Sequence, residues 1–253
     1  MIRIESVSLA YGNTNILKEI SVSIPKGGIT ALIGPNGAGK SSLLGLAARL
    51  LPLQAGDISI DNLSVSSTSG EVLAKKIAIL RQDNHVGSRL TVRELVGFGR
   101  FPHSHGHVTK NDHRIIDESL RLFGLVDMSE RLLDTLSGGQ RQRALVAMAY
   151  CQDTDYLLLD EPLNNLDMYF ASELMKSLRN IADTRTKTIV IVLHDINYAG
   201  SFADRIIAMK EGQVVADGKP AEIMTETALG GIYGFNIPVI SVGGRPVALP
   251  FRH

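Results

Sequence analysis

Residues 29–41 are ITALIGPNGAGKS, an apolar run followed by a glycine-rich segment that ends in lysine and serine. The pattern G-x-x-x-x-G-K-[ST] is typical of a phosphate-binding loop when it joins a strand to a helix. Residues 29–33 predict a short strand, and helical periodicity begins near Lys40. Backbone N–H groups of such a loop converge on phosphate oxygens, at the positive end of the helix dipole. The segment therefore predicts a nucleotide-binding α/β layer.

Side chains of this loop have predicted roles. Lys40 would reach the β- and γ-phosphates, and the Ser41 hydroxyl would ligate Mg²⁺. The alternative, a glycine-rich connection with a chance lysine, is disfavoured by the strand–loop–helix context. The residues expected to contact the nucleotide are Gly34, Pro35, Asn36, Gly37, Ala38, Gly39, Lys40, Ser41 and Ser42.

A second apolar run, residues 156–161, ends in two carboxylates. The carboxyl ends of strands are where α/β sheets bind their ligands. Asp160 would hold Mg²⁺, directly or through water, and Glu161 would polarise the attacking water as the general base. The alternative, in which the two carboxylates only end a strand or cap the next helix, is weakened by the phosphate-binding loop in the same chain.

A third motif, Leu136-Ser137-Gly138-Gly139-Gln140, is a glycine-rich turn before a helix predicted over 140–151. The start of a helix is a binding site for anions. Because this second phosphate site lacks its own lysine, it suggests that the turn serves the nucleotide bound to another copy of the chain.

Periodicity along the chain predicts the remaining architecture. Residues 2–9 and 20–24 alternate with period two, which predicts half-buried antiparallel strands, and 56–65 predicts an exposed hairpin. Helical periodicity dominates from about residue 90 to 150, and the tail, 237–250, predicts one or two short strands. The fold class is therefore α/β, interrupted by a helical insertion. Further strands are predicted at 76–81, 156–159, 188–193, 205–209 and 213–216.

Over nearly all of its 253 residues, the chain resembles the ATPase subunit of an ATP-binding cassette (ABC) transporter, and the motifs follow the family's order. Tyr11 matches the aromatic residue that stacks on adenine. Gln82 matches the glutamine that senses Mg²⁺ and the γ-phosphate and couples the site to the membrane partner. Residues 136–140 match the family signature, and His194 matches the histidine that contacts the γ-phosphate.

Residues 164–167, Asn-Asn-Leu-Asp, match the family loop that contacts the opposite subunit, with Asp167 at its aspartate. The family more commonly has Ser-Ala where this chain has Asn164-Asn165. The resemblance implies a head-to-tail homodimer that holds two ATP molecules between the phosphate-binding loop of one subunit and the signature of the other, with Mg²⁺ as cofactor. Hydrolysis of ATP to ADP and phosphate would reopen this dimer and drive transport.

The resemblance also implies the domain organisation. One P-loop ATPase domain would span residues 1–253. Its α/β core, with an N-terminal antiparallel β subdomain, would comprise 1–85 and 151–253, and an inserted helical subdomain would comprise 86–150.

No apolar run approaches the ~20 residues needed to cross a bilayer, so the membrane domain is expected on another chain. In this family, separate subunits are usual for bacterial importers. Residues 99–103, 193–197 and 217–220 are similar to iron-siderophore, haem and cobalamin importer ATPases, and 160–168 most resembles the iron-siderophore branch. We expect an ATPase at the cytoplasmic face of the cell membrane, held by permease subunits that work with a periplasmic or surface substrate-binding protein.

Composition limits the alternatives. Lys+Arg and Asp+Glu both number 26, Trp is absent and aromatic residues make up 5%, which argues against a nucleic-acid partner. The single Cys151 excludes an intrachain disulfide and fits a reducing compartment. A soluble ABC ATPase of the iron–sulfur cluster assembly type, without transport, remains the alternative function. A small-molecule kinase would explain neither residues 136–140 nor His194.

Two further features invite functional interpretations. His103, His105, His107 and His113 could bind a transition metal, although a solvated loop is the favoured interpretation. The stretch 141–143, Arg-Gln-Arg, could suggest a nucleic-acid patch, but a solvated helix face or contacts across a dimer are favoured.

Overall fold

The computed structural model describes residues 1–82 and 89–250 and forms two compact units. The first unit comprises residues 1–68 and the chain from residue 188 onward; the second comprises Ser69–Lys187. The predicted subdomain boundary between residues 85 and 86 lies outside the described residues.

The strands are β1 (Ile2–Tyr11), β2 (Thr14–Ile24), β3 (Gly28–Ile33), β4 (Ala55–Ile60), β5 (Leu63–Ser64), β6 (Ile77–Leu80), β7 (Tyr156–Asp160), β8 (Thr188–Val192), β9 (Arg205–Lys210), β10 (Gln213–Gly218), β11 (Val239–Val242) and β12 (Arg245–Ala248). The helices are α1 (Lys40–Ala47), α2 (Gly70–Ala74), α3 (Val92–Phe98), α4 (Phe101–Ser104), α5 (Lys110–Leu122), α6 (Gly138–Cys151), α7 (Met168–Arg185), α8 (Ile196–Phe202), α9 (Pro220–Ile223) and α10 (Glu226–Tyr233). Short 3₁₀ turns lie at Val126–Met128 and Leu133–Thr135.

An antiparallel sheet of the first unit has the strand order β2-β1-β4-β5. Strand β1 pairs Ile4 with Val22 of β2. The alternation of buried and exposed residues along β1 is interrupted at Ser6, whose φ of +48° lies within a register shift typical of a β-bulge. The antiparallel strands predicted from period-two alternation are confirmed.

A second sheet carries the phosphate-binding segment. Within the first unit its order is β10-β9-β3-β8, with β3 parallel to both neighbours and β10 antiparallel to β9. Every residue of β8 is buried, as is every residue of β3 after Gly28, which is typical of strands covered on both faces. Because β3 ends at Ile33, the phosphate-binding segment that begins at Gly34 lies at the carboxyl edge of the sheet, where α/β folds bind ligands.

In the second unit, the fully buried strand β7 pairs in parallel with β6 and ends at Asp160. Helices α3, α5 and α6 pack on one another. Their buried faces include Leu95 of α3, Ile116 of α5 and Val146 of α6. These helices confirm the helical character predicted for this part of the chain.

Helix α6 begins at Gly138, two residues before the predicted start at Gln140. The Ser137 hydroxyl accepts a hydrogen bond from the Gln140 N–H (3.2 Å), and Gln140 Oε1 accepts one from the Ser137 N–H (3.1 Å). This capping box makes Gly138 and Gly139 part of the first helical turn. The prediction placed the start too late because glycine is a poor helix former.

The sequence analysis assigned no element to residues 168–185, which form α7, nor to α2 and α8–α10. Helix α7 starts where the Asp167 carboxylate accepts a hydrogen bond from the Phe170 N–H (2.9 Å). Its buried residues follow helical spacing: Ala171, Leu174, Met175, Leu178, Ile181 and Ala182. The tail strands predicted between residues 237 and 250 are confirmed as the β11–β12 hairpin.

Across residues 1–82 and 89–250, none of the helices combines the length and the apolar character needed to span a membrane.

Candidate nucleotide-binding site

The phosphate-binding loop depends on glycine backbone conformations. Gly34, Gly37 and Gly39 have φ values of +136°, +77° and +96°. A Cβ at Gly34 would collide with the backbone carbonyl oxygen of Met209, whereas a Cβ at Gly37 would meet nothing within 4 Å. Gly34 therefore permits a close backbone approach, and all three positions are strained for any other residue.

Lys40 is the first residue of α1 and is only 5% exposed. Its ammonium donates hydrogen bonds to the carbonyl oxygens of Gly34 (2.8 Å) and Pro35 (2.9 Å). These bonds hold a buried positive charge against the loop. Gly39, at the N-cap position, has no side chain to cap the first turn, so the N–H groups there suit an anion.

Two other predicted residues of the first unit lie at strand ends. Tyr11 ends β1 with 54% of its surface exposed, which leaves its ring accessible for stacking. His194 is exposed and follows β8, immediately before the N-cap of α8. At that N-cap, the Asp195 carboxylate accepts a hydrogen bond from the Asn197 N–H (2.8 Å).

In the second unit, the structure brings Gln82 to Glu161. Gln82 Nε2 donates to Glu161 Oε2 (2.9 Å), and Asn164 Nδ2 donates to the same oxygen (2.7 Å). Asp160 and Glu161 are both buried, and Glu161 has a φ of +51°. The sequence analysis expected Gln82 and Glu161 at the site but placed Asn164 only in the loop that contacts the opposite subunit. The signal that the sequence offered for Asn164 was an amide donor three residues after the Glu161 carboxylate.

The signature residues begin α6, as described above, and lie near the residues that precede α7. A Cβ at Gly139 would lie 3.3 Å from the Asn165 carbonyl oxygen and from Leu166 Cδ2. A Cβ at Gly138 would lie 3.5 Å from Asn165 Cβ. The signature thus packs closely on the segment that leads to Asp167, the N-cap residue of α7.

The predicted Mg²⁺ ligands form a chemically suitable set. The Ser41 hydroxyl, the Gln82 amide oxygen and the Asp160 carboxylate are oxygen donors, the type that Mg²⁺ prefers together with water and phosphate. Because the Gln82 amide nitrogen donates to Glu161, its oxygen is the atom suited to a cation. Mg²⁺ is usually bound by one or two carboxylates together with substrate phosphates and water, which agrees with the single carboxylate of this set.

The histidine segment forms contacts with protein groups. His103 Nε2 lies 2.8 Å from the Gln152 carbonyl oxygen, and His105 Nε2 lies 3.9 Å from Glu71 Oε1. Among the residues that the structure describes, no group of three or more His, Cys, Asp or Glu residues is placed so that it could hold a metal ion.

The Arg143 side chain is half-buried, whereas a solvated helix face or contacts across a dimer are the environments that the sequence favours for residues 141–143. Its guanidinium lies over the Phe170 ring, 4.3 Å from the centroid, and donates to the Phe123 carbonyl oxygen (3.2 Å). Burial lowers the pKa of Arg143. The side chain is half-buried because it packs on an aromatic ring.

The chain is similar in sequence to ATP-binding import proteins. A family model described as ABC transporter matches residues 17–164. The petrobactin import ATP-binding protein YclP of Bacillus subtilis is 45% identical over 251 residues, covering 99% of this chain and all of the relative. Its counterpart FatE of Bacillus anthracis is 47% identical over 249 residues, covering 98% of this chain and all of the relative. The ferric enterobactin transport ATP-binding protein FepC of Escherichia coli is 36% identical over 253 residues, covering 98% of this chain and 93% of the relative.

Solved structures have the same fold. A bacterial ABC transporter cassette solved as a dimer matches with a TM-score of 0.80 and 28% identity, over 87% of this chain and 99% of that one. A metal-chelate type ABC transporter in an inward-facing conformation matches with a TM-score of 0.84 and 22% identity, over 99% of this chain and 97% of that one. The predicted fold class, an ABC ATPase core with antiparallel β and helical parts, is confirmed.

Proposed function

The chain belongs to the ABC transporter family, and from that premise we propose that it is the ATP-hydrolysing subunit of an importer for iron–siderophore complexes. The observation that carries the proposal is its similarity over 98–99% of its length to import ATP-binding proteins named for petrobactin and ferric enterobactin. The phosphate-binding loop and the Glu161 carboxylate supply the groups that ATP hydrolysis needs.

In this proposal, Tyr11 stacks on adenine, and residues 34–42 hold the phosphates through loop N–H groups and the Lys40 ammonium. Mg²⁺, when bound, would neutralise phosphate charge, and Ser41, Gln82 and Asp160 are its proposed protein ligands. Glu161 is the general base that accepts a proton from the attacking water. His194 contacts the γ-phosphate, and Gln82 couples the site to the permease.

Two copies of the chain would act together. The signature residues 137–140 and Asp167 would contact the nucleotide held by the opposite subunit, so that ATP closes the dimer and hydrolysis reopens it. The permease would hold this dimer at the cytoplasmic face of the membrane, with a substrate-binding protein as an indirect partner. In this proposal, the chain forms one ATPase domain with a helical subdomain at 86–150.

A capture experiment tests the importer assignment. In the Glu161→Gln variant, ATP should bind without turnover and the dimer should accumulate, because the amide cannot accept the proton. We would tag this variant, solubilise membranes gently with ATP and Mg²⁺, and identify co-purifying chains by mass spectrometry. The control is Glu173→Gln, which changes an exposed carboxylate of α7 paired with Lys176.

We expect a polytopic permease with Glu161→Gln and normal ATP turnover with Glu173→Gln. Capture of soluble partners alone, with the chain absent from membranes, would instead indicate a scaffold ATPase of the cluster-assembly type. Normal hydrolysis by Glu161→Gln would place the general base elsewhere. Uptake of radioactive iron as petrobactin or enterobactin complexes, by vesicles that contain the identified permease with the wild-type chain, then tests the cargo.

A further inference from the structure

We propose that Asn164 is a positioning residue that holds the Glu161 carboxylate in its working orientation; this inference rests on the proposed role of Glu161 as general base. Asn164 Nδ2 donates to Glu161 Oε2 at 2.7 Å. Gln82 Nε2 donates to the same oxygen at 2.9 Å. One carboxylate oxygen thus accepts bonds from two amides.

The backbone fixes the Asn164 side chain beside Glu161. The Asn164 N–H donates to the Glu161 carbonyl oxygen (3.2 Å), which closes a four-residue turn with Pro162 at its second position. A second turn follows, in which the Leu166 N–H donates to the Leu163 carbonyl oxygen (3.2 Å). The local backbone geometry therefore brings the Asn164 side chain back to Glu161.

The turn is also supported from outside. Asn165 has a φ of +64°, a conformation that asparagine tolerates better than most residues. As described above, a Cβ at Gly139 of the signature would lie tightly against Asn165 and Leu166, 3.3 Å from each. The two residues that follow Asn164 are therefore held in place.

The two donors differ in what else they do. Gln82 lies 79 residues from Glu161 in the chain and has a second proposed task at Mg²⁺. Asn164 is tied to Glu161 by the turn itself. The terminal torsion of glutamate has a broad energy profile, so an unrestrained carboxylate would sample many orientations. A local donor at Oε2 restricts this rotation, and a misplaced base slows a reaction that depends on orientation.

The test replaces Asn164 by Leu, which has a similar size and no donor. In steady-state hydrolysis of Mg–ATP by the full chain, assayed alone and with the captured permease, we expect kcat to fall on the order of 10- to 100-fold. KM for ATP, the affinity for ADP and the melting temperature should change little, because the Asn164 amide acts on the general base, Glu161. Asn164→Gln, which retains the amide, should recover part of the lost kcat.

Matched variants separate positioning from a structural role. Asn180→Leu makes the same replacement at an exposed site of α7 and should leave kcat unchanged. Asn164→Asp is as small as asparagine but places a second carboxylate beside Glu161, and it should be at least as slow as Asn164→Leu. A parallel loss of melting temperature, ADP affinity and kcat in Asn164→Leu, with no recovery in Asn164→Gln, would overturn the proposal.

The same assays distinguish this proposal from the proposed function. If wild type hydrolyses ATP, Glu161→Gln does not and Asn164→Leu matches wild type, the positioning role is wrong and the proposed function stands. If wild type hydrolyses no ATP alone or with permease, or Glu161→Gln hydrolyses it normally, the assignment of Glu161 is wrong and the role of Asn164 falls with it.

Discussion

Lys40 and Glu161 are buried groups of opposite charge, and hydrogen bonds within the described part of the chain stabilise each of them. Two backbone carbonyls accept from the Lys40 ammonium, and two side-chain amides donate to the Glu161 carboxylate. Hydrogen bonds to a charged group offset part of the cost of removing it from water. Glu161 also has a φ in the left-handed region, the kind of strain that is concentrated at functional sites.

The first prediction concerns Lys40. Replacing Lys40 by Ala removes the charged donor expected at the phosphates, and a hydrogen bond to a charged group contributes about 1.5–3 kcal/mol. ATP affinity, measured by isothermal titration calorimetry, should fall on the order of 10- to 100-fold. Lys176→Ala, on the exposed face of α7, is the control. An affinity of Lys40→Ala within twofold of wild type would contradict the assignment of the loop.

At the scale of secondary-structure elements, one buried ion pair joins the starts of α4 and α5 to the end of α6. Arg100 Nε donates to Asp112 Oδ1 (2.8 Å), and Arg100 Nη1 donates to the Cys151 carbonyl oxygen (3.0 Å). Arg100 and Asp112 are 4% and 3% exposed. The carboxylate of Asp112 also accepts from the Thr109 N–H and hydroxyl at the start of α5.

This pair predicts a pH-dependent stability. Burial alone would raise the pKa of Asp112, but hydrogen bonds from Thr109 and Arg100 outweigh it and lower the pKa to about 2. Because the folded pKa lies below the unfolded value near 3.9, the stabilisation is complete above about pH 5 and is lost as pH falls toward 2. Asp112→Asn leaves Arg100 buried without its charge partner and should lower the free energy of unfolding by about 3–5 kcal/mol at pH 7.

Urea unfolding of wild type and Asp112→Asn from pH 7 to 3 measures this difference, which should be constant at neutral pH and shrink below about pH 5. The exposed Asp127→Asn is the control. A difference that did not change down to pH 3 would mean that the Arg100 pair does not stabilise the ionised form of Asp112.

The C-terminal hairpin is attached to the helix that follows His194. Asn197 Nδ2 donates to the Ala248 carbonyl oxygen (3.1 Å), and Asn197 Oδ1 accepts from the Ala248 N–H (2.8 Å). One side-chain amide thus pairs with both the N–H and the carbonyl group of Ala248 in β12, and α8 contacts β12. The tail is therefore part of the packing around α8.

Asn197→Leu should loosen the hairpin. Each lost bond costs about 1 kcal/mol, so hydrogen exchange at the Ala248 amide should accelerate on the order of tenfold while the amides of β3 stay protected. Mass spectrometry of exchanged peptides measures both regions, with Asn180→Leu as the control. Unchanged exchange across residues 245–248 would show that other contacts hold the hairpin.

At the scale of the whole molecule, the proposed head-to-tail dimer predicts that the signature acts on the partner's nucleotide. Asp and Asn both cap helices well, so Ser137→Asp and Ser137→Asn preserve the start of α6. Only Asp adds a negative charge where the partner's phosphate is expected. Ser137→Asp should bind ATP as wild type does, yet fail to dimerise or hydrolyse it, whereas Ser137→Asn should retain both abilities.

Calorimetry of the monomer and light scattering in the Glu161→Gln background measure these two properties. A tenfold or greater loss of ATP affinity in monomeric Ser137→Asp would place the signature beside the nucleotide of its own subunit and contradict the head-to-tail arrangement.

Local sequence signals determined much of this protein. Three signals each predicted a structural element correctly, because each lies within a few neighbouring residues. They are the 29–41 segment, the apolar strand that ends at Asp160 and the period-two alternation near the N-terminus. Helix α7 carried a comparable signal that the analysis of the sequence left unassigned. The start of α6 was misplaced because a capping box overrode the low helix propensity of two glycines.

Tertiary structure alone decided the contacts between residues distant in the chain. Gln82 and Glu161 meet across 79 residues, and Arg100 reaches a carbonyl 51 residues away. In the sequence, residues 99–103 only indicated similarity to a family. In the fold, a Cβ at Gly99 would collide with the Met148 carbonyl oxygen, and Arg100 forms the buried ion pair with Asp112. Periodicity reports which face of an element is buried, but which side chains meet there depends on how the elements pack.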